Sequence, residues 1–225
     1  MDKHIRVLLN RISCGSVTIA TIILILLFIH SPETCLPHGS DQKFPKSTCD
    51  FTTRQITSID KKNKRLWSTN DWNNKVQSFA TFFIEIRNLN YLGNHSHVLC
   101  VSAGAGHEVM ALKQIGVEEV TGVELVDSPP LVSRADPHHL PFFDGVFDLS
   151  FSGHLKEALF PFRFAAEMER TLKVGGLCVL ALDECGNAEV EGIGKLFKKS
   201  RLVSAKNVTL IRLRMTRIIF EVTSA

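Results

Sequence analysis

Small residues set between two apolar runs can cradle a nucleotide, and one such pattern stands at the centre of this chain. Val98 to Val101 is apolar, Ser102 to Gly106 is a run of small residues, a stretch of helical period closes at Gly116, and a second apolar run ends at an acid, Glu124. The order predicts strand, glycine-rich turn, helix and strand. Small residues let the backbone approach a ligand, and the helix start offers free N–H groups. An acid about 20 residues on can accept from a ribose hydroxyl. The unit reads as a cradle for a nucleotide or nucleoside.

Other titratable residues carry weaker patterns. His154 follows the apolar run Val146 to Phe151 and is the one candidate for a catalytic base, with capping of the next loop or helix as its other role. His138 and His139 sit in a turn-rich loop, Asp136 to Gly145, and read as solvated. No cysteine pair has zinc-ligand spacing, so no metal site is expected. Of six cysteines, Cys35 and Cys49 are placed to pair in an oxidising lumen, whereas Cys100 and Cys178 lie in strand-like runs and read as buried thiols.

The elements that must position these residues follow from periodicity. A helix is predicted from Thr69 or Asn70 to about Asn90, with Trp72, Val76, Phe79, Phe83 and Ile86 on one face. Beyond Glu124, Pro129 and Pro130 exclude a normal helix, so the crossover from the second strand is expected to be short and irregular. Leu155 to Lys173 is predicted helical, kinked or restarted at Pro161, burying Leu159, Phe162, Ala166 and Met168 and ending at Gly175 and Gly176. A buried strand, LCVLALDE, a helix over Val190 to Lys199, and strands over Leu202 to Arg214 and Thr216 to Thr223 complete the order.

With 225 residues the chain can bury one sizeable core and still carry an extension. Its net charge of +3 is mild and its Lys and Arg residues are scattered, which argues against nucleic acid as a partner. Ile12 to Ile29 holds no charged residue. Lys3, Arg6 and Arg11 precede it, and Glu33 and Asp41 follow. The stretch reads as a single-pass transmembrane signal anchor with the domain in a secretory lumen, in the endoplasmic reticulum or Golgi. A cleaved signal peptide is the rival, and HSPETCLPH offers no small-x-small cleavage site. The organisation expected is a cytoplasmic tail over 1–11, an anchor over 12–30, a polar stem over 31–70 and a domain over 71–225. Two sequons, at Asn94 and Asn207, suit a lumen.

Four segments in order give the domain a family resemblance. VLCVSAGAG (98–106) is similar to V-L-D-x-G-x-G-x-G. Glu124 matches an acid ending the second strand. ADPHHLPFFDGVFDLSFS (135–152) is similar to G-D-A-x-x-L-P-F-x-D-x-x-F-D, and ERTLKVGGLCVLALDE (169–184) to an E-x-x-R-x-L-K-P-G-G block. The chain from about Asp71 onward thus resembles the class I S-adenosylmethionine-dependent methyltransferases, and is similar to small membrane-anchored members of plants. The resemblance implies an α/β, Rossmann-like sheet with a C-terminal antiparallel strand pair. It implies S-adenosyl-L-methionine as cofactor, held by Ser102, Ala103, Gly104 and Gly106 along the turn. Glu124 would take the ribose diol, Leu125 the adenine face and Asp136 the exocyclic amine. It also implies methyl transfer to a small-molecule or glycan acceptor.

Two positions depart from the pattern. Cys100 stands where the family has an acid, and Ser102 where it has glycine. Both motivate a second reading, a non-catalytic methyltransferase-like binding or scaffold module, and predict that Cys100→Asp would restore the usual acid. A nicotinamide-dependent oxidoreductase is a third reading of the same turn and acid. It requires further parallel units where this C-terminus offers two closely spaced strands.

Overall fold

The computed structural model describes residues 3–30 and 59–224. The chain divides into two compact units, Met1–Ser58 and Ile59–Ala225. In the first, helix α1 spans Lys3–His30. Val17, Ile19 and Ile22 through Leu26 are more than half exposed on it. No helix among the described residues is long and apolar enough to cross a membrane, so the span expected over 12–30 is not found among them. The first half of that stretch is punctuated by hydroxyls: Ser16 donates to Ser13 O at 2.9 Å, Thr18 to Cys14 O at 3.0 Å and Thr21 to Val17 O at 2.8 Å. A continuous apolar block begins only at Ile22, and the side chains of 27–30, together with the Cys35 and Cys49 pairing and most of the stem, lie outside the described residues.

The second unit opens with helix α2, Ile59–Trp67, where the sequence reading has stem. Helix α3, Asn70–Asn88, follows, capped by Thr69, whose hydroxyl accepts from the Trp72 N–H. All five residues predicted for its apolar face are buried. Strand β1 (His97–Val101), helix α4 (His107–Gln114) and strand β2 (Glu119–Glu124) form the expected βαβ unit, with β1 and β2 parallel. No helix lies between β2 and strand β3, Val132–Arg134, as the two prolines foretell.

Strand β4 (Phe147–Ser152), helix α5 (Pro161–Thr171), strand β5 (Leu172–Asp183), helix α6 (Asn187–Gly194) and strands β6 (Ser200–Leu210) and β7 (Leu213–Val222) complete the unit. The sheet has seven strands in the order β3-β2-β1-β4-β5-β7-β6. Strands β1 to β5 are parallel and β7 runs antiparallel to both β5 and β6. One core layer lies under α3 and α4, including Phe79, Phe83, Cys100, Val109 and Phe151. The other includes Leu99, Val101, Phe164, Met168, Cys178 and Phe220. Cys100 and Cys178 are buried free thiols, as expected.

The segment after β4 differs from expectation. Only a short 3₁₀ turn, Leu155–Glu157, precedes α5, which starts afresh with Pro161 in its first turn, where the missing N–H costs nothing. Leu159 and Phe162 are 79% and 56% exposed and Ala166 is exposed too; Met168 is buried as expected, with Phe164 and Ala165 beside it. Resetting the helix start at Pro161 rotates the face. Gly175 and Gly176 do not end the helix; they lie inside β5, beside a register irregularity against β4.

Candidate functional site

The turn after β1 carries three residues in the left-handed region: Ser102 at φ +57°, Gly104 at +51° and Gly106 at +94°. The two glycines adopt it freely, whereas Ser102 carries a Cβ that disfavours it. The turn is tied down by the Ala103 N–H donating to Val123 O at 3.0 Å and the Gly106 N–H donating to Ala103 O at 2.8 Å. A Cβ on Gly104 would meet nothing within 4 Å, so this residue faces open space. On Gly106 it would stand 2.8 Å from Leu131 Cβ. Gly106 therefore lets the crossover pack on the start of α4.

At the C-terminal ends of β1, β2 and β4, where ligands bind in open parallel sheets, lies a cleft of about 650 Å³. Ser102, Gly104, Glu124, Leu125, Asp136 and His154 all line it. Ala103 and Gly106 do not: Ala103 is buried at 3% exposure, and Gly106 serves packing. Glu124 Oε2 accepts from the Gly104 N–H at 3.1 Å and Oε1 from the Leu125 N–H at 2.8 Å. Each carboxylate oxygen keeps an acceptor site, enough for a vicinal diol. Leu125 is 54% exposed and presents apolar surface to the cleft.

Asp136 Oδ1 accepts from the His138 N–H at 2.9 Å and lies 3.0 Å from His138 Nδ1. These bonds hold its carboxyl below the usual range. The imidazole is not solvated, contrary to the sequence reading: its side chain is 18% exposed, it meets Phe160 and Phe164 edge-on, and its Nε2 accepts from the Phe160 N–H at 3.3 Å. An accepting Nε2 places the ring proton on Nδ1, toward Asp136. His138 thus ties the Asp136 loop to the segment before α5. A histidine in a turn-rich loop gives no sequence signal for this bridge.

The same loop is clamped from α5. Arg170 donates to Glu167 at 2.9 and 2.7 Å, to Asp144 at 2.6 Å, and to the carbonyls of Phe142 and Leu140 at 2.8 and 3.0 Å. Glu167 in turn accepts from the Leu140 N–H at 2.7 Å. Glu167 and Arg170 are therefore the fastening that holds the loop carrying Asp136 over the sheet.

His154 caps the 3₁₀ turn, its Nδ1 2.8 Å from Glu157 Oε2. Both residues also line a second cavity of about 250 Å³, bounded by Phe79, Leu182, Leu210, Ile211, Leu213 and Met215. Glu108, in the first turn of α4, lines it too and is only 6% exposed. Its Oε2 has no hydrogen-bond partner. Burial pushes its carboxyl up to about 7, opposed by its own backbone N–H and by His154. Burial and, after it, Glu108 push the Cys100 thiol up, so an acid stands near the position from which the motif acid is missing. Sequence reasoning passed over Glu108 because an acid in a first helical turn is ordinary.

Residues 99–180 match a family model described as a methyltransferase domain. No curated protein matches the chain. Among solved structures, it is similar to a Methanococcus maripaludis protein described as a candidate S-adenosyl-L-methionine-dependent methyltransferase, at TM-score 0.55 and 14% identity over 73% of this chain and 92% of that one. A Pyrococcus horikoshii protein aligns at TM-score 0.54 and 15% identity over 75% and 95%. The 1,6-didemethyltoxoflavin-N1-methyltransferase of Burkholderia thailandensis, with bound 1,6-didemethyltoxoflavin and S-adenosylhomocysteine, aligns at 0.53 and 14% over 72% and 83%. Over residues 99–180 the chain thus matches a methyltransferase domain, and the sheet of its second unit has the fold of these solved structures.

Proposed function

We propose that the domain transfers a methyl group from S-adenosylmethionine to a small-molecule or glycan acceptor. The observation that carries this reading is the convergence of Ser102, Gly104, Glu124, Leu125 and Asp136 on one cleft of matching chemistry. Glu124 would hold the ribose hydroxyls, Leu125 the adenine face, and Asp136 the exocyclic amine through the oxygen not bonded to His138. The open space at Gly104 admits the cofactor's chain past the backbone. When bound, the cofactor supplies a methyl carbon activated by its sulfonium. The chain's own task is to align acceptor and methyl in line, a placement effect that can carry much of the acceleration. Calorimetric titration with S-adenosylmethionine and S-adenosylhomocysteine tests the reading. Micromolar to submillimolar binding is expected, and no binding at millimolar ligand overturns it.

A binding or scaffold module without transfer is the second reading, favoured by Cys100 in the acid's place and by the left-handed Ser102 in the first glycine's place. Binding of cofactor without turnover of any acceptor class distinguishes it. Placement of the domain in a secretory lumen is likewise a proposal, supported by the charge order around 12–29 and the two sequons. Protease digestion of the domain in intact microsomes without detergent would overturn it.

A further inference from the structure

The cavity holding Glu108 is distinct from the cofactor cleft yet shares His154 and Glu157 with it. We propose that this cavity receives the methyl acceptor, and that the acceptor is a compact apolar amine whose ammonium pairs with Glu108. The inference rests on the methyltransferase reading and narrows it.

The walls decide the body of the ligand. Phe79, Leu182, Leu210, Ile211, Leu213 and Met215 offer hydrocarbon and thioether, and the polar part of the lining, Glu108, His154, Lys156, Glu157 and Asp183, is charged or titratable, so an apolar body with one charged group suits it better than a ring of neutral hydroxyls. A volume of about 250 Å³ is at the low end for ligand pockets, typically about 300–1,000 Å³, and suits one ring or a short chain.

The charges decide the functional group. An unpartnered carboxyl oxygen buried in such walls is costly unless a ligand completes it. The other charged groups at the cavity are largely engaged: His154 with Glu157 at 2.8 Å, and Lys156 with Glu189 at 3.4 Å. Asp183 adds a second acid to the lining. This balance favours a cation over an anion, and an ammonium supplies both the charge and the N–H donor that Oε2 lacks.

Reaction follows from the same pairing. A proton moves from the ammonium to Glu108 Oε2, leaving a neutral nitrogen lone pair. As that lone pair bonds to the methyl carbon, the S–C electron pair stays on sulfur, giving the thioether and a methylated ammonium. Glu108 then releases its proton to solvent. A carboxyl that titrates near 7 takes and returns such a proton readily at neutral pH.

The test uses the full chain, with and without saturating S-adenosylhomocysteine, and benzylamine and toluene as probes read by ligand-observed NMR. Wild type is expected to bind both. Glu108→Gln should weaken benzylamine at least tenfold, leave toluene unchanged, and keep S-adenosylhomocysteine affinity within about twofold. Met215→Trp, which fills the cavity from its rim, should abolish both probes, and stands in if the glutamine variant fails to fold. Equal benzylamine affinity in Glu108→Gln, or no benzylamine binding by wild type, overturns the proposal. Failure of S-adenosylhomocysteine to bind sinks the cofactor reading separately, because the probe titrations without it still report on the cavity.

Discussion

Two glutamates flank the glycine turn, and the fold treats them in opposite ways. Glu124 ends a strand at the open cleft, with an N–H bonded to each oxygen. Glu108 sits in the first turn of α4, buried at the wall of a cavity, with one oxygen unpaired. The first is supported by the backbone it helps to shape. The second weakens the fold, and a residue kept at such a cost points to function, because stability and activity commonly trade against each other. The difference separates a carboxylate that backbone donors satisfy from one that keeps an unpaired oxygen.

The sharpest way to break the comparison is to add a second carboxylate beside Glu108. The sequence alone predicts that Cys100→Asp restores a family acid. The structure reverses that expectation: Cys100 is wholly buried in the core layer under α3 and α4, and its thiol is already pushed up by burial and by Glu108. The variant should lose roughly 3 kcal/mol or more in urea unfolding at pH 7.5. A variant as stable as wild type, binding S-adenosylhomocysteine more tightly, would show that this space accepts charge and would erase the contrast.

Next in size is the pH dependence carried by Glu108 itself. Its folded-state carboxyl titrates at about 7, above its usual 4.5, so the native state binds the proton more tightly than the unfolded one. Stability from this group is therefore full below pH 4.5 and is lost as pH rises through 7, by an amount on the order of 3 kcal/mol. Glu108→Gln cannot ionise and should gain on wild type progressively from pH 5 to pH 8. The charged neighbours are His154 and Lys156 on one side and Glu124, Glu157 and Asp183 on the other. Parallel melting curves for the two proteins across that range would remove the claim of a buried, unpaired acid.

How far the site was legible follows the same division. The βαβ unit, the α3 face and the C-terminal strand pair were readable because spacing reports periodicity, and the cleft residues because a strand-end acid and a small-residue turn have a fixed relation in such units. His138 and Glu108 were not readable. Each acts through partners distant in sequence, Phe160 and Phe164 for one and a cavity closed by the β6–β7 turn for the other. Ala103 and Gly106 were assigned to the cleft because spacing does not tell a residue that faces a ligand from one that packs a crossover. Leu159, Phe162 and Ala166 were misplaced because one buried face was read continuously across the restart at Pro161.

On the open side, Glu124→Gln sharpens the comparison. It keeps size and removes charge, and should weaken S-adenosylhomocysteine by ten- to a hundredfold, about 1.5 to 3 kcal/mol. The structure adds a cost that strand-end position alone does not foretell. A glutamine amide must turn its N–H₂ toward the N–H of either Gly104 or Leu125, setting donor against donor. A stability loss of about 1 kcal/mol is expected alongside. Unchanged affinity in a normally folded variant would take Glu124 out of the cofactor site.

The smallest effect is expected at Ser102, where the turn strains a side chain that the family pattern omits. At φ +57° its Cβ crowds the following carbonyl, a conformation that costs an L-residue about 1 to 2 kcal/mol. Glycine removes that strain but raises the entropy of the unfolded chain, which returns about 0.5 to 1 kcal/mol. Ser102→Gly should therefore stabilise the domain by up to about 1 kcal/mol, a rise of roughly 2–4 °C in a melt. Because Ser102 lines the cleft, the same variant reports on what the hydroxyl does there. Raised stability with S-adenosylhomocysteine affinity unchanged would mean that the serine is only tolerated. Raised stability with weakened affinity would mean that its hydroxyl contacts the cofactor and that the strain is retained for that contact. A lower melting temperature would show that Ser102 holds the turn through its side chain, and would remove strain at the first glycine position as a difference between the open and the buried side.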